Sequence, residues 1–368
     1  MNNMSIELGL SRFKNVDGVS CYMISVLHIL QQIPDFTNYL INLKNIKKNA
    51  GKSVFYELAR AIKLSLDNDN IRIAPSSFKK KVGEKDLMWS ELEHQDSHEF
   101  YTFLMCNIEK EWGHKVVSIP NISVTSYDNS ETLNNDNSVT VNNSILRTIA
   151  YNYIFQSEKA DYSPFKNLFV GYLISTIKCS ICNTNSPSFE SFINISLSIP
   201  IKKHTKSDAK YRLEECLDNF VNDEQLDKNN LLTCDICGFK NQSFKKIQIW
   251  KAPPILVIQL KRFVTNQYGI QTSKIVNPVI YPIDDFDISE YYHPDSPYKN
   301  NIKYKLIGIN VHLGFGISGV NAGHYISIVR NHYNNKWYVF DDANSVIEIS
   351  EEAIQNKNAY LLFYLRVD

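Results

Sequence analysis

Residues 20 to 32, Ser20-Cys21-Tyr22-Met23-Ile24-Ser25-Val26-Leu27-His28-Ile29-Leu30-Gln31-Gln32, carry apolar side chains at helical spacing and stop just short of Pro34. Ser20 is a good N-cap, so the pattern predicts a buried helix with Cys21 in its first turn. The free N–H groups and the dipole of a helix start favour thiolate over thiol, the state a cysteine nucleophile requires. Cys21 stands alone in the sequence, as do Cys106 and Cys216, which are read as small buried hydrophobes.

A second helix is predicted over Ser97–Trp112, where Phe100, Phe103, Leu104 and Ile108 share one face, and a third over residues 51–66. The first hundred or so residues are therefore mainly α. From Val124 to Ser144 the chain is Asn, Ser, Thr and Asp with few large apolar residues, which suits a surface insertion. Beyond Phe165 the pattern changes to short alternating strands: Leu168–Lys178, Phe189–Leu197, Phe244–Trp250, Ile255–Phe263, Tyr304–Leu313, His324–Arg330, Lys336–Phe340 and Tyr360–Leu365. The fold class expected is α+β.

A cysteine nucleophile needs a base and a group that orients the base. Among the nine histidines, His324 has the most informative setting: Gly323-His324-Tyr325-Ile326-Ser327-Ile328-Val329 places it at the entry of an apolar strand. The next strand, Lys336-Trp337-Tyr338-Val339-Phe340, runs into Asp341-Asp342. In an antiparallel hairpin the start of one strand lies beside the end of the other, so Asp341 is expected next to His324. His28 is placed on a helix face, and His114, His204, His293 and His332 fall in polar surroundings and are expected to be solvated.

Cys179-Ser180-Ile181-Cys182 and Cys234-Asp235-Ile236-Cys237 are two Cys-x-x-Cys knuckles 51 residues apart. Each can turn two thiolates toward one point, and together they complete the tetrahedral sulfur shell of a structural Zn(2+) site. Gly238 suits the tight turn that closes the second knuckle. A pair of knuckles also occurs in nucleic-acid modules, but those carry a basic excess. Here Lys plus Arg (39) equals Asp plus Glu (39), and the sequence pI is about 7.1.

The 368 residues, 43% hydrophobic and 12% aromatic, supply a large core without disulfides. No apolar run approaches the ~18 residues of a membrane span. The first residues, Met1-Asn2-Asn3-Met4-Ser5-Ile6-Glu7, lack the regions of a secretory leader. The expectation is an intracellular protein of cytoplasm or nucleus, not secreted, with no membrane and no nucleic acid among its partners. In a reducing compartment cysteine pairs are read as metal ligands rather than disulfides.

With these pieces placed, the chain resembles the catalytic domain of the ubiquitin-specific proteases. Gly9-Leu10 followed by Gly18-Val19-Ser20-Cys21-Tyr22-Met23-Ile24-Ser25 resembles the cysteine box of that family, and Gln95-Asp96-Ser97-His98-Glu99-Phe100 its glutamine-aspartate box. The two knuckles, Leu256-Val257-Ile258-Gln259-Leu260-Lys261-Arg262-Phe263, Gly323-His324-Tyr325, Trp337 to Asp342 and Ala359-Tyr360-Leu361-Leu362-Phe363-Tyr364 follow in the family's order.

The resemblance implies a papain-like cysteine protease fold shaped as a right hand. It would form a single domain over 1–368: a helical thumb to about residue 120, a polar insertion over 121–160, zinc-ribbon β fingers over 165–260 and a β palm over 261–368. It implies a deubiquitinase acting as a monomer, with ubiquitin and ubiquitinated proteins as its partners. Cys21 matches the nucleophile, His324 the general base and Asp341 the residue that orients the histidine, with Asp342 next in line. Asp96 matches an acid that meets the basic tail of ubiquitin, and Tyr325 a wall of the narrow channel for its glycines. Cys179, Cys182, Cys234 and Cys237 match the zinc ligands.

The pattern departs from the family in one place. The oxyanion-hole asparagine of the family lies five residues before the nucleophile, where this chain has Val16, and Asn15 lies six before. Asn15-Val16-Asp17-Gly18 resembles the family's Asn-x-Gly with one residue inserted, so Asn15 serves the oxyanion only if the loop bulges. The family's asparagine after Met23 is replaced by Ile24. The alternatives are a ubiquitin-binding module of impaired rate and a protease for another modifier ending in Gly-Gly.

Overall fold

Every residue of helix α1 (Cys21–Leu30) is buried, so the helix presents no stripe to solvent and lies at the centre of the helical half. The computed structural model describes residues 9–42, 51–68, 71–112, 143–160, 163–201, 208–226, 230–266, 268, 271–300, 302–314 and 323–367. In the same core lie α2 (Pro34–Ile41), α3 (Val54–Leu66), α4 (Ser76–Lys85) and α5 (Ser97–Trp112): α5 packs on α1, and α3 packs on α5, α2 and α4. Ser53 starts α3 by accepting the Tyr56 N–H at 3.2 Å, and Pro34 opens α2.

Ser20 does occupy the N-cap of α1, but its side chain does not cap. Its hydroxyl donates instead to the carboxylate of Asp17, a charge-assisted acceptor stronger than the backbone partner it gives up.

The polar stretch expected over 121–160 ends in helix α6 (Asn143–Ala160), which sets Tyr153 against Tyr172 and Phe189 with ring centroids 6.2 Å apart. The earlier part of that stretch, residues 121–142, lies outside the described residues. The strand expected from Leu168 starts only at Gly171. Before it, Ser163 caps the short helix α7 (Pro164–Phe169), with Pro164 at its first position, and this start signal overrides the alternation that follows.

Strands β1 (Gly171–Lys178), β2 (Asn185–Phe192) and β4 (Phe244–Lys251) form an antiparallel sheet in the order β2-β1-β4, extended by the two-residue strand Glu224–Gln225. A larger, eight-stranded sheet contains β3 (Ile195–Ser198), β5 (Ile255–Lys261), β6 (Lys303–Leu313), β7 (His324–Arg330), β8 (Trp337–Asp341), β9 (Ser345–Ile349) and β10 (Ala359–Val367). They run in the order β9-β8-β7-β6-β10-β5-β3, and the two-residue strand Phe286–Asp287 pairs with β6 off this path. Thus β3 and β5, grouped by sequence with the cysteine-bearing half, hydrogen-bond within the large sheet.

Side-chain alternation sends Val257, Leu361 and Phe363 into the helical core, and Leu256, Ile258, Leu362 and Tyr364 into a second core beneath helix α8 (Leu213–Val221). A sheet covered on both faces explains the nearly continuous apolar runs of β5 and β10. Helix α1 lies directly on β6: a Cβ on Gly308 would sit 2.5 Å from Ile29 Cγ2, so only glycine admits the helix this closely. Buried Asn310 of β6 then donates to Ser25 of α1 at 2.7 Å and accepts from Ser97 of α5 at 2.8 Å. Among the described residues, no helix is long and apolar enough to cross a membrane.

Candidate active site and metal centre

The first residue of α1 and the first residue of β7 are brought together by that packing. Cys21 is 1% exposed. His324 Nε2 lies 2.6 Å from Asp341 Oδ1, at the end of the neighbouring strand β8. The antiparallel register, Ser327 opposite Phe340 and Arg330 opposite Trp337, delivers this meeting as the sequence led one to expect. Hydrogen bonding to the Cys21 side chain raises the pKa of His324 from 6.5 to about 9; burial opposes the shift and Asp341 adds to it. The imidazole is therefore protonated at neutral pH, with one nitrogen on the carboxylate and the sulfur as its other partner.

Asp342 does not share that task. Its backbone is left-handed at φ +45°, and its Oδ2 accepts from Asn15 Nδ2 at 3.1 Å. Burial raises its pKa, and the Asn15 bond opposes this. Asn15 Oδ1 in turn accepts the Ser20 N–H at 2.9 Å. Asn15 is thereby folded back onto the start of α1. The second Nδ2 hydrogen of Asn15 has no acceptor among the described residues.

Asp96 precedes α5 and accepts the N–H groups of His98 (2.7 Å) and Glu99 (3.1 Å) with one oxygen, the arrangement of an N-cap. Its other oxygen accepts from Tyr360 at 2.7 Å. Tyr360 in turn receives Gln259 Nε2 at 2.9 Å, so Asp96 is tied into the large sheet. Tyr325 is buried, its ring 4.8 Å from that of His312 and 6.3 Å from that of Tyr360, and burial holds its hydroxyl protonated.

The four knuckle cysteines converge, with all ligand atoms within 4.8 Å of one another, and could hold a metal ion. Sγ separations are 3.9 Å for Cys179–Cys237 and 3.6 Å for Cys182–Cys234, well beyond a disulfide's ~2.0 Å. The two knuckles repeat one geometry. Asn183 and Gly238 both follow the second cysteine in left-handed conformation, φ +58° and +74°, and each donates its N–H to the carbonyl of the first cysteine. Gly238 meets the expectation for this turn; Asn183 is the other residue that enters it at low cost.

Several partners of these groups were not singled out from sequence. Asn241 bridges the knuckles: Nδ2 donates to Cys179 Sγ at 3.4 Å and to the Phe239 carbonyl at 3.0 Å, while Oδ1 accepts from the Ser180 N–H at 3.2 Å. Asp17 and Lys79 hold the residues on either side of Cys21, Ser20 and Tyr22, and sequence had given neither a role. His28, expected on a helix face, is fully buried, and Nε2 accepts the Phe13 N–H at 2.9 Å. His293 and His332, expected in solvent, are half-buried: His293 lies against Trp250, and His332 pairs with Gln32. In each case tertiary packing covers a polar neighbourhood. His114 and His204 lie outside the described residues.

The family model for "Ubiquitin carboxyl-terminal hydrolase" matches residues 12–364. The chain is 28% identical over 362 residues to ubiquitin carboxyl-terminal hydrolase Usp2 of Drosophila melanogaster, covering 97% of this chain and 35% of that protein. It is 28% identical over 370 residues to human ubiquitin carboxyl-terminal hydrolase 2 (99% and 56%). A probable ubiquitin carboxyl-terminal hydrolase of Acanthamoeba polyphaga mimivirus is 29% identical over 330 residues (82% and 67%). The chain thus spans about a third to just over half of the first two relatives. The fold matches that of the SAGA Ubp8/Sgf11/Sus1/Sgf73 DUB module bound to ubiquitin aldehyde, with TM-score 0.70, 24% identity, 100% of this chain and 71% of that one.

Proposed function

The chain belongs to the ubiquitin carboxyl-terminal hydrolase family, and on that footing we propose that it is a thiol-dependent deubiquitinase, cleaving (iso)peptide bonds after the C-terminal glycine of ubiquitin. The observation that carries this reading is the Cys21–His324–Asp341 constellation at the meeting of α1, β7 and β8. Cys21 sulfur attacks the glycine carbonyl; His324, held by Asp341, passes its proton to the leaving amine and then activates the water that releases the acyl-enzyme. Asn15 is assigned the oxyanion role on the strength of its uncommitted Nδ2 hydrogen. Tyr325 helps wall the tail channel, and Asp96 meets the basic tail.

The four cysteines are assigned one structural Zn(2+). Zn–S bonds of about 2.3 Å in a tetrahedron place sulfurs ~3.8 Å apart. The two separations above, 3.6 and 3.9 Å, bracket that value. With four protein ligands no position remains for water, so the ion would hold the two knuckles together and take no part in the chemistry.

The test is reaction of the purified protein with ubiquitin carrying a C-terminal cysteine-directed electrophile, beside Cys21→Ala. An adduct that disappears in the variant supports the nucleophile and the substrate together. An adduct that persists in Cys21→Ala sinks the assignment of Cys21, and absence of any adduct in the unmodified chain sinks the deubiquitinase reading.

A further inference from the structure

Asp17 makes three of the hydrogen bonds that hold the loop carrying the extra residue before Cys21. Asp17 Oδ1 accepts the N–H groups of Val19 (3.1 Å) and Ser20 (2.9 Å) and the Ser20 hydroxyl. Its Oδ2 meets Lys79 Nζ of α4 at 3.0 Å, and Lys79 also donates to the Tyr22 hydroxyl at 3.1 Å. The pair is largely withdrawn from water, with side chains 13% and 11% exposed. Burial alone would raise the pKa of Asp17, but bonds from Ser20 and Lys79 and the ammonium charge outweigh it and leave it lowered.

A nearly buried ion pair adds little net stability, because desolvation consumes much of the attraction, but it holds its two side chains in one geometry. The geometry fixed here is that of Asn15. The Ser20 N–H is shared by Asn15 Oδ1 and Asp17 Oδ1, so Asp17 and Asn15 grip the same backbone group from two sides. Val16 and Gly18, on either side of Asp17, are exposed.

We propose that the Asp17–Lys79 pair is the positioning device of the oxyanion loop, taking up the inserted residue and anchoring it to α4 so that the free N–H of Asn15 faces the reacting carbonyl. Asp17 and Lys79 are positioning residues and touch no substrate. The inference rests on the deubiquitinase reading and on Asn15 as the oxyanion donor.

The experiment compares unmodified protein with Asp17→Ala, Asp17→Asn, Lys79→Met, Asn15→Ala and Asn15→Ala/Asp17→Ala on ubiquitin carrying a C-terminal fluorogenic amide. Asp17→Ala is expected to lower kcat by about tenfold to a hundredfold, the scale of a misplaced catalytic group, with KM changed less than about twofold. Asp17→Asn, which keeps an acceptor for the loop but loses the charge, falls between. On the Asn15→Ala background, Asp17→Ala adds less than about twofold, since its target is already gone.

Inhibition by ubiquitin aldehyde gives a second readout. The Cys21 sulfur adds to the aldehyde carbon, the carbonyl pair becomes an oxyanion, and His324 supplies its proton. Asp17→Ala weakens this adduct by the same factor as kcat while binding of ubiquitin itself is unchanged. Should Asp17→Ala fail to fold, the charge-balanced Asp17→Asn/Lys79→Met carries the same comparison.

Unchanged kcat in folded Asp17→Ala, with Asn15→Ala impaired, overturns this inference and leaves the deubiquitinase reading standing. Equal losses from Asp17→Ala with and without Asn15 overturn it as well. A full-rate Asn15→Ala removes the oxyanion assignment and the inference with it, whereas no turnover by the unmodified protein removes the functional reading itself.

Discussion

Asn15 Nδ2 donates to Asp342 Oδ2 at 3.1 Å across 327 positions of sequence. The bond ties the loop before the nucleophile to the strand end that holds the histidine's partner, and it separates two adjacent acids by role. Asp341 Oδ1 serves His324 at 2.6 Å, and Asp342 serves Asn15.

The two acids therefore have different consequences when removed. Asp341→Ala is expected to cost ~10²–10⁴ in kcat, the range seen when a catalytic histidine loses its orienting acid. Asp342→Ala releases Asn15 and lowers kcat less. Steady-state kinetics of both variants decides, and equal losses would show that the acids act as one unit.

The pH profile of kcat/KM is expected to fall on the alkaline side as pH rises through about 9, where His324 loses its proton. The sign follows from the raised pKa: below it the imidazolium is present to protonate the leaving amine, and above it the proton is gone. The same shift makes His324 stabilise the fold fully below pH 6.5 and progressively less as pH rises through about 9. In Asp341→Ala the alkaline limb moves to lower pH, because one of the groups that raise the pKa is absent. A limb that stays in place would separate Asp341 from the titration.

Metal analysis of purified protein is expected to find one zinc per chain. A strong chelator, or Cys234→Ser, removes it and loosens the knuckles, because a four-thiolate site contributes folding energy outright. Asn241→Ala, which removes the Nδ2 bond to Cys179 Sγ, is expected to weaken zinc retention about tenfold in a chelator competition. Protein that folds with native proteolytic resistance and no metal would count against the assignment.

His28 is a buried base whose pKa is lowered from 6.5 to about 3, first by burial and then by Arg12. Its contribution to stability is present above pH 6.5 and is lost as pH falls toward about 3, because the unfolded chain takes up the proton first. Between pH 7 and 5 this amounts to about 2 kcal/mol. His28→Gln keeps an acceptor for the Phe13 N–H and cannot be protonated, so its urea-unfolding stability should change less over that interval by this amount. Parallel curves for the two proteins would show that His28 does not titrate on unfolding.

Much of the site was legible because its chemistry is carried by spacing. Two Cys-x-x-Cys turns each aim two sulfurs locally, so only the meeting of two preformed knuckles had to be inferred. The hairpin from His324 to Asp341 is set by strand alternation and one polar turn, and its observed pairing matches. Helix α5 starts and stops where its apolar face and its Ser97 entry indicated.

Cross-chain decisions were not legible in the same way. Asp342, with its left-handed backbone, faces Asn15 rather than His324, and Asn15 folds back onto the Ser20 N–H; both pairings join segments that no local pattern connects. Sequence alone determined the sheets' alternation, the buried helix behind Cys21 and the residue types of the site, because hydrophobic period and local turn geometry act over a few residues. Only the tertiary structure decided which polar groups pair, because a hydrogen bond is made or lost within a few tenths of an ångström, and that precision comes from packing α1 against Gly308, not from any local pattern.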